Sequence, residues 1–245
     1  MKMITFIHIP KTGGSTFTNL LRETLSPNNK SLSHFIKEIE TEEIKIEILH
    51  IQFQHPERLS MCGDIFKQPD KYINHKIFTI IRHPVDRIIS EYNFQKYTLR
   101  NGPKIRRLNP IPDTLEEYIE NKGTWNYQLS FLLGEGLIPI NKPTEEDLKN
   151  VIDCFEKLNI KVGVTDNYLN FLNLFEKNTG IELNKNVSIL KKSVKSTETK
   201  ISEELRNKII KYNDLDYQLY NYAQSKVNNT TNQKFDLVWS GKFKY

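Results

Sequence analysis

The residues best able to do chemistry lie early in the chain, in Phe6-Ile7-His8-Ile9-Pro10-Lys11-Thr12-Gly13-Gly14-Ser15-Thr16-Phe17. An apolar run, a glycine turn and a helix-like start follow one another there. Glycines let the backbone take positive φ and approach a ligand closely. The N–H groups of a helix's first turn lack partners, and the helix dipole favours negative charge beside them. Lys11 adds a point charge, and Ser15 and Thr16 add hydroxyls or cap the helix. A phosphate or a sulfate is the guest that suits this chemistry. The plainer alternative is an N-capped helix after a tight turn. The lysine between an apolar run and the glycines favours the anion. The spacing differs from the ATP-binding loop G-x-x-x-x-G-K-S/T, where lysine follows the second glycine. An ordinary kinase or ATPase loop is therefore disfavoured.

A second anion element is Phe78-Thr79-Ile80-Ile81-Arg82-His83-Pro84-Val85-Asp86-Arg87-Ile88-Ile89-Ser90-Glu91-Tyr92. Arg82 falls at the carboxyl end of an expected strand, where open α/β sheets bind ligands. Its planar fork suits phosphate, although an ion pair with Asp86 or Glu91 would also use it. Ser90 lies on the helix that follows, and Arg87 reads as a surface or structural partner. The histidines are His8, His34, His50, His55, His75 and His83. His50 ends the run Ile44–Leu49, so it faces the same carboxyl edge as Lys11 and Arg82. His8, inside the first strand, reads as a core residue, and His34 and His75 as surface positions.

These residues need a frame. Strands are expected at 3–9, 44–48, 76–81 and 161–164, from apolar runs and alternation bounded by turn residues. Helical spacing runs from Ser15 to Leu25, from Pro84 through Phe94, and over 114–122, 125–133, 144–158, 166–178 and 202–226. Strands alternating with helices predict class α/β: a P-loop-like parallel β-sheet flanked by helices, with a helical C-terminal half. Residues 99–113 and 184–200 read as loops. The whole of 1–245 is expected to be one domain, with 227–245 a loosely docked tail.

Composition narrows the function classes. A length of 245 residues suits one α/β domain. The formal charge of +5 fits a small anionic ligand as well as a polyanion, and is too mild to demand nucleic acid. Cys62 and Cys154 cannot build a disulfide framework or a zinc site, so a reducing, cytoplasmic setting is expected and no metal. No apolar stretch is long enough to span a membrane.

The segments PKTGGST and IIRHPVDRIISEY resemble the phosphosulfate loop and the 3'-phosphate motif of sulfotransferases that use 3'-phosphoadenosine 5'-phosphosulfate (PAPS). The closest likeness is to the heparan sulfate 6-O- and 2-O-sulfotransferase group and its bacterial relatives. Trp125-Asn126-Tyr127-Gln128, Val162-Gly163-Val164-Thr165 and Leu215–Ala223 are similar to later elements of that group. The resemblance implies that Lys11, Thr12, Gly13, Gly14, Ser15 and Thr16 hold the 5'-phosphosulfate. Arg82 and Ser90 would hold the 3'-phosphate. Two separated anion sites suit such a nucleotide, whereas an NTP needs one cluster plus magnesium. His83 stands where the group has Asp, and Gln52 where relatives have a second histidine.

Sulfuryl transfer to a hydroxyl needs a base for the acceptor proton and a cation at the departing phosphate. Lys11 is expected as that cation. The resemblance makes His50 the base, with His55 the alternative. His8, His55, Arg106, Trp125, Asn126 and Gln128 are expected around the acceptor, with Lys104 and Arg107 beside Arg106. Amides and an aromatic face suit a sugar, and the basic loop suits an acidic one. The expected reaction is sulfation of a glycan hydroxyl, with PAP as product. A tyrosine or small-molecule acceptor would leave the same donor motifs. The rival classes are a P-loop-like phosphotransferase, which would need a strand ending in a magnesium-binding Asp, and a non-catalytic PAP-binding protein.

Overall fold

Alternating side chains on four strands determine how the sheet is covered. The computed structural model describes residues 1–25, 38–50, 62–98, 111–135, 141–184 and 201–231. The strands are β1 (Lys2–Ile7), β2 (Glu38–Glu40), β3 (Ile44–Leu49), β4 (Lys76–Ile81) and β5 (Lys161–Val164), in the spatial order β2-β3-β1-β4-β5. β1, β3, β4 and β5 run parallel, and β2 pairs antiparallel with β3. The expected parallel sheet is present, with the short antiparallel β2 added at one edge. Three residues of β2 are too few to show a period.

On one face, Ile4, Phe6, Ile46, Ile48, Phe78 and Ile80 pack under helices α1 (Gly14–Leu25) and α7 (Tyr168–Thr179). The residues between them, Ile7, Leu49, Ile77 and Ile81, point the other way. They meet α2 (Gly63–Lys67), α5 (Tyr127–Leu132), α6 (Glu145–Lys157) and α9 (Asp214–Thr231). A third cluster joins α3 (Pro84–Asn93), α4 (Leu115–Ile119) and α8 (Glu203–Tyr212). Both faces are covered, as a parallel sheet requires.

Local chemistry sets the helix ends. Pro84 opens α3 at its first turn. Thr144 and Asp147 close a capping box on α6, and Gly180, at φ 76, ends α7. The helix expected over 202–226 is two, broken at Asn213. There the Asn213 Nδ2 donates to the Ile209 carbonyl, and its Oδ1 accepts from the Asn126 N–H. Residues 227–231, expected as the start of a tail, belong to α9, which continues to Thr231; residues 232–245 lie outside the described set.

Candidate active site

The sheet order decides where a ligand can sit. From β1 the chain crosses to β3 on one side, then returns to β4 on the other. The carboxyl ends of β1 and β4 therefore form a topological switch point, the crevice where open α/β sheets take ligands. The glycine turn follows β1 and Arg82 follows β4, and the two meet: Arg82 Nη1 donates to the Lys11 carbonyl at 3.1 Å. No ion pair of Arg82 with Asp86 or Glu91 occurs among the described residues, so the fork is turned to the loop.

The loop has an unusual backbone. Lys11 stands at φ 70 and Gly13 at φ 90, on either side of Thr12 and just before α1. Alternation of this kind turns successive N–H groups into a concave anion cradle. The loop's carbonyls are occupied on its far side. Thr165 Oγ1 donates to the Thr12 carbonyl at 3.1 Å, and the Tyr168 hydroxyl to the Gly13 carbonyl at 3.0 Å. Thr12 itself is buried and donates to the Ile9 carbonyl at 2.9 Å, so its side chain braces the loop. Ser15 is exposed and Thr16 half-buried at the mouth of the turn.

Gly14 admits no side chain. A Cβ there would lie 2.1 Å from Cδ2 of His8. The His8 ring is buried against the start of α1 and meets His50 edge-on, ring centroids 4.3 Å apart. His50, just past β3, also faces Phe131 at 6.2 Å. Burial pushes its pKa down to about 4, so the imidazole is neutral at neutral pH and free of the charge that would stop it taking a proton. Burial also holds the His8 pKa well below the ordinary histidine value, helped by the charges of His50 and Lys11.

The Lys11 ammonium sits 4.0 Å from the centre of the Phe94 ring. Burial lowers its pKa, Glu91 opposes this, and Arg82 and Arg87 add to it. Arg87, read from sequence as a surface or structural partner, is not at the surface: it is fully buried, 3.8 Å from Glu91 and 4.7 Å over the Tyr127 ring. Ser90 lies half-buried on α3, two turns beyond Arg82. His83 begins α3 with its ring edge-on to Tyr217 and Tyr220, at 5.6 and 5.1 Å. Burial lowers its pKa, while Asp86 and Asp166 pull it up.

Three residues expected around an acceptor have other partners. The Gln128 amide is buried and pairs with the Arg82 backbone twice, accepting from its N–H at 2.9 Å and donating to its carbonyl at 2.8 Å. Its own N–H and that of Leu129 donate to the buried carboxylate of Asp216 at 3.0 and 2.9 Å. Asn126, at φ 46, accepts from the N–H groups of Leu215 and Asp216 and so ties α5 to α9. The Trp125 ring stacks on Tyr212 at 4.3 Å and donates to the Ile119 carbonyl. Gln128 thus braces the site through the Arg82 backbone, while Asn126 and Trp125 bond neighbouring elements. His55, Lys104, Arg106 and Arg107 lie outside the described residues. Sequence reasoning missed Thr165, Tyr168 and Asp216 as site residues. Thr165 carried a usable signal, since it directly follows a strand at the ligand-binding edge.

A model of the sulfotransferase family matches residues 2–127. The chain belongs to the sulfotransferase family. The match takes in the glycine loop, His50 and Arg82, whereas Gln128, Thr165, Tyr168 and Asp216 fall beyond it. No curated protein shows significant similarity to this sulfotransferase. Among its described residues no cluster of three or more His, Cys, Asp or Glu could hold a metal, and no helix is long and apolar enough to cross a membrane.

Proposed function

We propose that this sulfotransferase moves a sulfuryl group from PAPS to a hydroxyl of a glycan, with His50 as general base. The single observation that carries the reading is the junction of the two anion elements, with Arg82 bonded to the Lys11 carbonyl at the β1/β4 switch point. The cradle after Lys11 fits a 5'-phosphosulfate, and Gly14 lets the His8 ring pack directly against the loop. Arg82 and Ser90, beyond β4, are the groups for the 3'-phosphate. PAPS supplies the sulfuryl group and leaves as PAP. Lys11 stabilises the charge that develops on the departing phosphate, as a fixed cation in a partly desolvated site. The His50 imidazole takes the proton of the attacking hydroxyl. The likeness to the heparan sulfate group supports a saccharide acceptor, and the basic segment around Arg106 supports an acidic one.

A thermal-shift panel with PAP, ATP and GTP, with and without magnesium, tests the donor. PAP should raise the melting temperature equally with and without the metal. Stabilisation by ATP or GTP that depends on magnesium, with none by PAP, would assign the chain to phosphotransfer instead.

A further inference from the structure

Three consecutive carbonyls of the glycine loop are held by three side chains. Arg82 Nη1 reaches Lys11 O at 3.1 Å, Thr165 Oγ1 reaches Thr12 O at 3.1 Å, and the Tyr168 hydroxyl reaches Gly13 O at 3.0 Å, a carbonyl that also accepts from the N–H groups of Thr16 and Phe17 at 3.1 and 3.3 Å. In a trans peptide the C=O and the next residue's N–H point to opposite sides of one rigid plane. Fixing these carbonyls therefore fixes the N–H groups of Thr12, Gly13 and Gly14, and turns them away from the β5 side. The family match assigns no role to Thr165 or Tyr168, since both lie beyond it.

We infer that Thr165 and Tyr168 are positioning residues for the donor: they lock the loop's peptide planes in the anion-binding orientation before the nucleotide arrives. The inference rests on the donor reading given above. Both residues come from rigid supports. Thr165 directly follows β5, and its hydroxyl also lies 3.5 Å from the Ile81 carbonyl at the end of β4. Tyr168 begins α7, whose Phe171 and Phe175 are fully buried in the core. Its ring closes over Gly13, where a Cβ would stand 3.0 Å from Cε2. Burial raises the phenol's pKa, so the hydroxyl keeps its proton and remains a donor. Neither side chain moves a proton or meets the transferred group in this role. Their contribution is preorganisation, which acts on donor affinity. Turnover at saturating donor should change little.

The test uses the full chain with Tyr168→Phe, Thr165→Val, the double variant, and Thr165→Ser, which keeps the hydroxyl. Amide hydrogen exchange of peptides spanning Lys11–Thr16 is read without ligand, PAP affinity by calorimetry, and KM for PAPS against kcat. The double variant should exchange several-fold faster in the loop. It should bind PAP about tenfold more weakly, as the loss of two hydrogen bonds implies. KM for PAPS should rise in step while kcat holds, and Thr165→Ser should behave as the parent. Unchanged loop exchange and PAP affinity in the double variant would overturn the inference. So would a lowered melting temperature with PAP affinity intact, the mark of a purely structural role. Should the double variant not fold, Tyr168→Phe, which keeps the ring on Gly13, carries the same comparison. Faster loop exchange in a chain whose parent binds no PAP would leave the clamp standing and remove the donor reading.

Discussion

Lys11 is held at φ 70, a region that costs a residue with a Cβ roughly 1–2 kcal/mol. The surrounding structure maintains it there, with the Arg82 fork on its carbonyl and the Phe94 ring under its ammonium. Replacing the ammonium should therefore affect chemistry more than folding. Lys11→Ala should lower turnover by about a hundredfold or more, as loss of a transition-state donor does, with melting temperature little changed; near-normal turnover would remove its role. His50 makes a prediction with a definite sign. A base must be neutral to act, and burial keeps His50 neutral down to about pH 4. The ratio kcat/KM should be flat across neutrality and fall as pH drops through about 4, and His50→Ala should abolish transfer while PAP still binds. An acid limb near the ordinary histidine value of 6.5 would mean that a different group is the base. Gly14 couples the loop to these rings. Gly14→Ala drives a methyl into His8 and should lower both melting temperature and PAP affinity. Adding His8→Ala should recover the melting temperature; no recovery would mean the clash lies elsewhere.

At the scale of elements, a run of internal bonds reaches from α9 to the loop. Asp216 holds the first N–H groups of α5, Gln128 of α5 grips the Arg82 backbone, and Arg82 holds the Lys11 carbonyl. Gln128→Ala leaves the Arg82 N–H and carbonyl without this amide, and should weaken PAP binding by about tenfold. Calorimetry checks this; unchanged affinity would make the pairing incidental to the site. The run also explains what the sequence made legible. That Lys11, Arg82 and His50 lie at one edge was legible because each follows a strand that its own neighbours announce. Gln128 and Asn126 are expected from sequence around the acceptor but bond the Arg82 backbone and α9; an amide beside a motif reads alike whether it lines a site or braces one. Thr165 meets Thr12 across 153 positions and Gln128 meets Asp216 across 88, separations that no local pattern encodes. The break at Asn213 was hidden for the same reason: its amide bonds back to Ile209 and across to Asn126.

Across the whole molecule, each of the four parallel strands delivers one component to a single edge. β3 ends at His50, β1 at the glycine loop, β4 at Arg82 and β5 at Thr165. The α/β class and this edge were readable from apolar runs followed by polar or glycine-rich turns. The antiparallel β2 was not, since three residues with glutamates at both ends give no periodic signal. Placing histidines at this edge has a consequence for stability. His8 and His50 have folded pKa values below the ordinary 6.5, so the unfolded chain binds their protons more readily. Their contribution is complete above about pH 6.5 and is lost as pH falls toward the folded values, about 4 for His50. Denaturant midpoints should decline over that window, and His8→Ala should flatten the decline; an equal slope in both proteins would contradict the assignment. The arrangement as a whole is tested most directly by a crystal structure of the chain with PAP. The account predicts the 5'-phosphate against the N–H groups of Thr12, Gly13 and Gly14, and the 3'-phosphate at Arg82 and Ser90. A nucleotide bound elsewhere, with the cradle after β1 left to solvent, would contradict it.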